Sequence, residues 1–270
     1  MIINKANIIE ITKTCSVYAK KDYGQNFLIE ETISKKIVDA LDITSSDKIL
    51  EIGPGLGSLT HFLLEESDNV TAVDIDPYMI NILNNIYSTT SLKLVNNDIR
   101  KVDVSEFDKI IGNLPYNITT ELITYLLLNA KTCKKMVLMI QKEAMERIFS
   151  LEGKDYSALS IIAYLLGKPT KLFVVKPGSF YPSPKCDSVV FKYDFYSNID
   201  KNNIINAYNF IKHLFLNRRK TIFNNLSNLT KDKSLSSELL KELNIKENLR
   251  PENISPEQYI NLYNLYLSKK

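Results

Sequence analysis

The sequence predicts an α/β protein: a doubly wound parallel sheet followed by a small all-helical domain. Three observations carry this reading. Five short apolar, β-branched runs are continuous rather than alternating, as strands covered on both faces are. Between them lie segments such as Pro77 to Tyr87 and Thr119 to Asn129, long enough for crossover helices. From Ile204 onward the chain shows helical periodicity only. The change of pattern near Asn198 divides the chain into residues 1–198 and 199–270.

The five runs are KILEIG (Lys48 to Gly53), NVTAVDID (Asn69 to Asp76), LKLVNND (Leu92 to Asp98), DKIIGN (Asp108 to Asn113) and KMVLMIQ (Lys135 to Gln141). Asp76, just ahead of Pro77, fits an N-cap with proline at the first helical position. Ser157 to Leu166 reads as a helix. TKLFVVKP and SVVFKYDF then read as two late strands flanking a proline-rich loop, PGSFYPSPKCD. In SPEQYINLYNLYL, Ser255 is the expected N-cap, Pro256 the first helical residue and Gln258 the partner of a capping box.

Composition narrows the function classes. A net charge of +3, from 34 basic against 31 acidic residues, does not announce a polyanion partner, so nucleic-acid binding has to rest on local clusters. Cys15, Cys133 and Cys186 are far apart and form no C-x-x-C pair, which argues against a zinc site and a disulfide framework; no metal is expected. Only His61 and His213 are available, neither beside an evident nucleophile, so a hydrolytic triad is not expected. No apolar run approaches the roughly 18 residues of a membrane span. The start MIINKANIIEITK carries charge and Asn through what would be a signal core, and a cytoplasmic protein is expected.

EIGPGLGSLT follows the first strand, so Gly53, Gly55 and Gly57 occupy a turn where backbone amides can meet a nucleotide-type ligand. A dinucleotide fingerprint wants its third glycine at Ser58, one position later than Gly57. Asp74 ends the next strand, where an acid can accept ribose hydroxyls, and Asp98 ends the one after. With Glu51 they ring the carboxyl edge of one sheet. That ensemble favours a small adenosyl-type ligand.

The fourth strand runs into NLPY. An exocyclic amine on a purine is a weak nucleophile because its lone pair is delocalised into the ring. The amide oxygen of Asn113 and the backbone carbonyl of Leu114 can accept its two hydrogens and aim the lone pair at an electrophile. Pro115 fixes the turn. Tyr116 offers a face on which an extruded base can stack, worth about 1–3 kcal/mol.

These residues carry a resemblance. The chain resembles the ribosomal RNA adenine N6,N6-dimethyltransferases, the KsgA/RsmA group, from near Lys20 to the C-terminal helices. KKDYGQNFL is similar to the group's N-terminal cofactor motif, EIGPGLGSLT to its glycine motif, NLPYNI to its catalytic motif and FYPSPKCDSVV to its loop after the sheet. NRRKTIFNNL is similar to the basic helix of its small domain. Cys186 stands where Val is expected.

The resemblance implies a Rossmann-like class I methyltransferase sheet with S-adenosylmethionine as methyl donor, bound by Asn26, Leu28, Gly53, Gly55, Asp74, Asp98 and Asn113. It implies catalysis by Asn113, Leu114 and Tyr116, with Phe180 as a second stacking ring opposite Tyr116. Residues 1–198 then form the catalytic domain and 199–270 a helical domain that binds rRNA or the ribosome. The expected reaction is dimethylation of N6 on two adjacent adenosines near the 3′ end of small-subunit (16S) rRNA, by a monomer acting on the immature small subunit. Arg218, Arg219 and Lys220 are the expected phosphate contacts, with Lys20-Lys21, Arg100-Lys101 and Lys134-Lys135 as further basic clusters. The rival readings are a large-subunit methyltransferase of the macrolide-resistance type, a non-catalytic assembly factor, and a nicotinamide oxidoreductase.

Overall fold

The structure is a computed structural model that describes residues 6–7 and 25–270. Cys15 and the Lys20 to Gly24 part of the N-terminal motif, including the Lys20-Lys21 cluster, lie outside the described residues. Two compact units emerge. One holds the described residues up to Met145 with Pro169–Phe195, the other Glu146–Lys168 with Tyr196–Lys270.

The strands are β1 (Phe27–Leu28), β2 (Ile49–Ile52), β3 (Val70–Asp74), β4 (Lys93–Asn96), β5 (Lys109–Asn113), β6 (Lys135–Gln141), β7 (Gly167–Val175), β8 (Phe180–Tyr181) and β9 (Ser188–Phe195). Seven of them form a sheet ordered β4-β3-β2-β5-β6-β9-β7. Each of the five continuous apolar runs is one of its strands, and the pairs β2/β3, β3/β4, β2/β5 and β5/β6 are all parallel. β9 departs from the all-parallel expectation: it runs antiparallel to β6, with Ser188 opposite Gln141. β9 lies between β6 and the edge strand β7, so the sheet is mixed, as many large α/β sheets are.

Chain order reverses at β2. From there the chain steps outward to β3 and β4, then returns to β5 on the other side. Open α/β sheets bind ligands at such a switch point, outside the carboxyl ends of the strands. The two strands lie so close there that a Cβ on Gly112 would sit 2.6 Å from the Ile52 carbonyl oxygen, so only glycine fits one residue before Asn113.

The helices that follow these strands are α1 (Glu31–Asp39), α2 (Thr60–Glu66), α3 (Pro77–Ile86), α4 (Thr119–Asn129) and α5 (Lys142–Ile148). Asp76 caps α3 as expected, its side chain accepting from the Tyr78 N–H with Pro77 at the first helical position. Ile37, Val38, Phe62 and Leu63 of α1 and α2 join Ile49, Ile111, Val137 and Val190 of the sheet in one buried cluster. Burying each such side chain stabilises the fold by about 1.5–3 kcal/mol relative to exposure.

The second unit contains α6 (Ala158–Leu166), α7 (Lys201–Leu214), α8 (Ile222–Thr230), α9 (Lys233–Glu242) and α10 (Pro256–Ser268). Ser255 and Gln258 make the expected reciprocal capping box on α10. Unlike the division drawn from periodicity, this unit also takes in residues 146–168. The reason lies in α6, which buries Leu159, Ile161, Ile162 and Leu166 on several sides, and in Tyr156, whose hydroxyl donates to the Ile254 carbonyl at 2.7 Å. A sheet and a helical core both accept an apolar helix of that kind, so its pattern does not say which one it joins.

Candidate active site

One cavity at the carboxyl edge of the sheet is lined by residues of β1, the glycine turn, the tips of β2 and β3, the Asn97–Arg100 segment and the Asn113–Tyr116 turn. It brings together nearly every residue the sequence singled out: Asn26, Leu28, Gly53, Gly55, Asp74, Asp98, Asn113, Leu114 and Tyr116. Phe180 is the exception.

The glycine turn is held from beneath. Gly53 and Gly55 adopt positive φ, which costs other residues energy, and a Cβ on Gly55 would meet the Phe27 ring at 3.1 Å. The Asp74 carboxylate accepts the Gly55 N–H at 3.3 Å and the Asp76 N–H at 2.9 Å, so it braces the turn from the β3 tip. Burial nevertheless pushes its pKa up to about 6. Glu51 is deeper still: only 1% exposed, it accepts the Thr60 hydroxyl at 2.7 Å, and burial, helped by the Asp74 charge, raises it to about 8. Neither acid has a cationic partner among the described residues.

Asp98 is different. It caps the short turn Ile99–Lys101 and is gripped by Arg100, whose guanidinium binds both carboxylate oxygens and also reaches Glu121 at 2.8 Å. That hydrogen bonding holds Asp98 below its ordinary range. Arg100 is therefore committed to protein carboxylates, not presented as a free basic group. Lys134 and Lys135 are likewise paired, with Asp108 at 3.0 Å and with Asp42 and Asp194.

At the β5 tip, Asn113 Nδ2 donates to the Asn26 carbonyl at 3.0 Å. This bond fixes the amide and leaves Oδ1 without a donor among the described residues. The Leu114 N–H is spent on the Met139 carbonyl, and its own carbonyl oxygen accepts no bond from the described residues. Both residues line the cavity, and each carries an oxygen with no donor among the described residues. Tyr116 is half-buried, and its hydroxyl shares a 2.5 Å hydrogen bond with Ser188.

Phe180, expected opposite Tyr116, is packed beneath the cavity's own lining residues Leu28 and Leu59. It is 2% exposed, belongs to the core cluster with Leu28, Leu59 and Val190, and is not among the cavity-lining residues. In the β1/β8 pair Phe180 stands opposite Leu28 and is buried beside it, and alternation turns Tyr181 outward. The basic cluster is also corrected. Arg218 and Arg219 lie in a turn, and the helix begins only at Ile222 with Thr221 as its cap. Arg218 donates to the Gly153 and Lys154 carbonyls and lies over the Phe215 ring, whereas Arg219 and Lys220 are exposed.

Among the lining or supporting residues that the sequence reading did not assign to the site are Phe27, Ser58, Ile75 and Ser188. Ile75 carried a legible signal, an apolar side chain directly after a strand-tip acid, and it is 48% exposed on the cavity. Ser58, whose hydroxyl donates to the Leu28 carbonyl at 2.7 Å, was visible only as the place where a glycine is missing.

A glycine turn under a strand-tip acid, at the switch point of a sheet ordered β4-β3-β2-β5-β6-β9-β7, defines a class I methyltransferase. The family model for ribosomal RNA adenine dimethylase matches residues 17–268. The chain is 40% identical over 263 residues to the ribosomal RNA small subunit methyltransferase A of Mycoplasma capricolum subsp. capricolum, covering 93% of this chain and 98% of that protein. It is 36% identical over 260 residues to the protein of the same name from Malacoplasma penetrans, covering 94% of each. Among solved structures, a dimethyladenosine transferase from Plasmodium falciparum superposes with a TM-score of 0.76 at 30% identity, covering 90% of this chain and 98% of that one. The 23S rRNA methyltransferase ErmE shares the fold, with a TM-score of 0.67 at 22% identity, covering 88% and 98%. The chain belongs to the ribosomal RNA adenine dimethylase family.

The cavity fits the family's methyl donor, S-adenosylmethionine. Two buried acids without cationic partners suit a ligand that carries positive charge, and the glycine turn leaves backbone where a side chain would obstruct.

Proposed function

We infer that this protein dimethylates N6 of two adjacent adenosines near the 3′ end of small-subunit rRNA, acting as a monomer in the cytoplasm on the immature small subunit. The observation that carries the chemistry is the fixed amide of Asn113. Its nitrogen is spent on Asn26, so its oxygen is left to accept, beside the Leu114 carbonyl.

When bound, S-adenosylmethionine supplies a methyl carbon made electrophilic by the sulfonium next to it. Everything else falls to the chain. Asn113 Oδ1 and the Leu114 carbonyl hold the hydrogens of the adenine amine and turn its lone pair outward, which positions a weak nucleophile. The same oxygens stabilise positive charge as it develops on N6, because they are oriented before the reaction begins. The Tyr116 ring supports the extruded base from the cavity rim. Asp74, raised only to about 6, keeps negative charge on the cavity wall near neutrality, which suits a cationic donor, while Glu51, raised to about 8, stays protonated in the donor-free protein. No residue is required as a general base, since an alkylated adenine amine loses its proton readily to water.

Asp74, while bracing Gly55, would accept the donor's ribose hydroxyls, and Asp98, held by Arg100, would accept from its adenine amine. For the RNA backbone, the exposed Arg219 and Lys220 are the phosphate contacts of the helical unit. Arg218 instead supports the turn that presents them. An unpaired adenosine is the economical target, because little stacking is lost on extrusion.

The test is labelled S-adenosylmethionine with immature small subunits, comparing wild type with Asn113→Ala. Incorporation into two adjacent adenosines that vanishes in the variant supports the reading. Equal subunit binding without incorporation in either protein supports an assembly factor, and label mapped to large-subunit rRNA would refute the assigned substrate.

A further inference from the structure

Tyr116 and Ser188 come from opposite sides of β6. Tyr116 follows β5, which pairs with β6 through Asn113 and Met139. Ser188 opens β9, which pairs with β6 on its other edge through Gln141. The phenol therefore reaches across the end of β6 to a hydroxyl that is fully buried, and the two share a hydrogen bond of 2.5 Å. Burial raises the phenol's pKa, and the bond to Ser188 works against that rise. The hydroxyl is occupied, so the ring presents its face and not its polar end.

Ser188 is also the last link of a strapped loop. The Asp187 carboxylate binds Lys176 at 2.7 Å, and its carbonyl accepts the Lys142 N–H at 3.1 Å. Cys186 Sγ accepts from Gln141 Nε2 at 3.2 Å. Three contacts thus fasten the Lys176–Asp187 loop to its own base and to the end of β6. A ring free to swing about χ1 would lose stacking overlap and entropy on each encounter with a base; a ring with its hydroxyl held at the far end does not.

We propose that Ser188 is a positioning residue for methyl transfer, its hydroxyl pinning the Tyr116 ring at the cavity rim and joining that ring to the Lys176–Asp187 loop. The proposal rests on Tyr116 being the surface against which the target base stacks. Ser188 touches neither donor nor base. It acts through Tyr116.

The experiment is a double-mutant cycle on the full chain with immature small subunits at saturating S-adenosylmethionine: Ser188→Ala, Tyr116→Phe and the two together. Each single variant lowers kcat about five- to tenfold, the size of one lost hydrogen bond, and the double variant is no slower than the slower single one. KM for the subunit and the dissociation constant of the donor stay within about twofold, and Ser188→Thr, which restores a hydroxyl, recovers at least half of the loss. With 2-aminopurine replacing the target adenine, quenching on binding falls in Ser188→Ala, a readout that general loosening of the fold does not produce. Tyr116→Phe cuts the same bond from the less buried side, so a poorly folding Ser188 variant leaves the arm intact. Wild-type kcat in both single variants, or losses that multiply in the double, overturns the proposal. Tyr116→Ala separates the premises: if it too leaves kcat unchanged, the base-stacking reading fails; if it abolishes transfer while the single variants do not, only the pinning by Ser188 fails.

Discussion

Replacing Glu51 with glutamine should make the donor-free protein more stable and remove most of the pH dependence of its stability near neutrality. The Glu51 carboxyl has an ordinary value of 4.5 and is pushed up to about 8 in the folded protein, chiefly by burial. Between those values the folded chain holds one proton that the unfolded chain has released. Stability is therefore fully present below pH 4.5, falls as pH rises through the window, and has lost the whole contribution above about pH 8. At 1.36 kcal/mol per pH unit, the deficit at pH 7 is about 3 kcal/mol, a large part of the 5–15 kcal/mol that holds a typical domain together. Asp74 is raised in the same sense but only to about 6, so its share is mostly spent by pH 6.5. Urea unfolding at pH 6.5 and 7.5 thus isolates Glu51. Wild type should lose about 1 kcal/mol across that unit, while Glu51→Gln, which keeps an oxygen to accept the Thr60 hydroxyl, should lose little. Equal slopes in the two proteins would show that Glu51 is ionised in the folded state, and the argument from burial would be wrong.

Tyr116→Ala should cut methyl transfer severely while leaving the donor dissociation constant near that of wild type, as measured by calorimetry; a constant that rises as much as the rate falls contradicts its assignment to the base. Gly112→Ala forces a Cβ to within 2.6 Å of the Ile52 oxygen, and should cost about 1–3 kcal/mol in unfolding experiments and displace Asn113, lowering transfer as well. Arg219→Ala with Lys220→Ala should weaken subunit binding and reduce the slope of log affinity against log salt by about 1–2, with donor affinity unchanged. Arg218→Ala should instead lower the unfolding temperature, because it removes the donor to the Gly153 and Lys154 carbonyls.

Much of the sheet was legible because parallel strands covered on both faces must be largely apolar, and Ile49–Ile52, Val70–Asp74 and Lys109–Asn113 are mostly so and almost wholly buried, with Glu51, Asp74 and Asn113 as the polar exceptions that line the cavity. Two caps were legible for a similar reason: Asp76 and Ser255 each satisfy free N–H groups at a helix start, a local need met by a local side chain. What escaped the sequence depends on pairing between distant segments. β1 and β8 are two residues each, too short to show a period, yet their register turns Phe180 into the core and Tyr181 out to solvent. The basic Asn217–Lys220 stretch continues a helical pattern in sequence, but the chain turns there, and Arg218 is drawn to carbonyls more than 60 residues earlier. Likewise Glu51 reads as one of three equivalent strand-tip acids, while the structure gives each a different state: Glu51 raised by burial, Asp74 raised less and bound to two backbone N–H groups, Asp98 lowered by Arg100.

The same dependence on remote partners bears on how the site becomes competent. Asn113 and Tyr116 are three residues apart, yet their polar ends are tied to segments on opposite sides of them in the chain, Asn26 at the N-terminal strand and Ser188 at the last strand but one of the sheet. An amide can present either its oxygen or its nitrogen to the cavity, and only the oxygen can accept from an adenine amine. Asn26 makes that choice. Because Gln25, Asn26, Phe27 and Leu28 also line the donor cavity, whatever fixes this segment around the donor also fixes the acceptor that receives the base. If Asn26 is fixed around the donor, base orientation should follow donor binding through that one backbone carbonyl, and Asn113→Asp, which removes the Nδ2 donor while keeping an acceptor, should lose transfer activity even where the donor still binds.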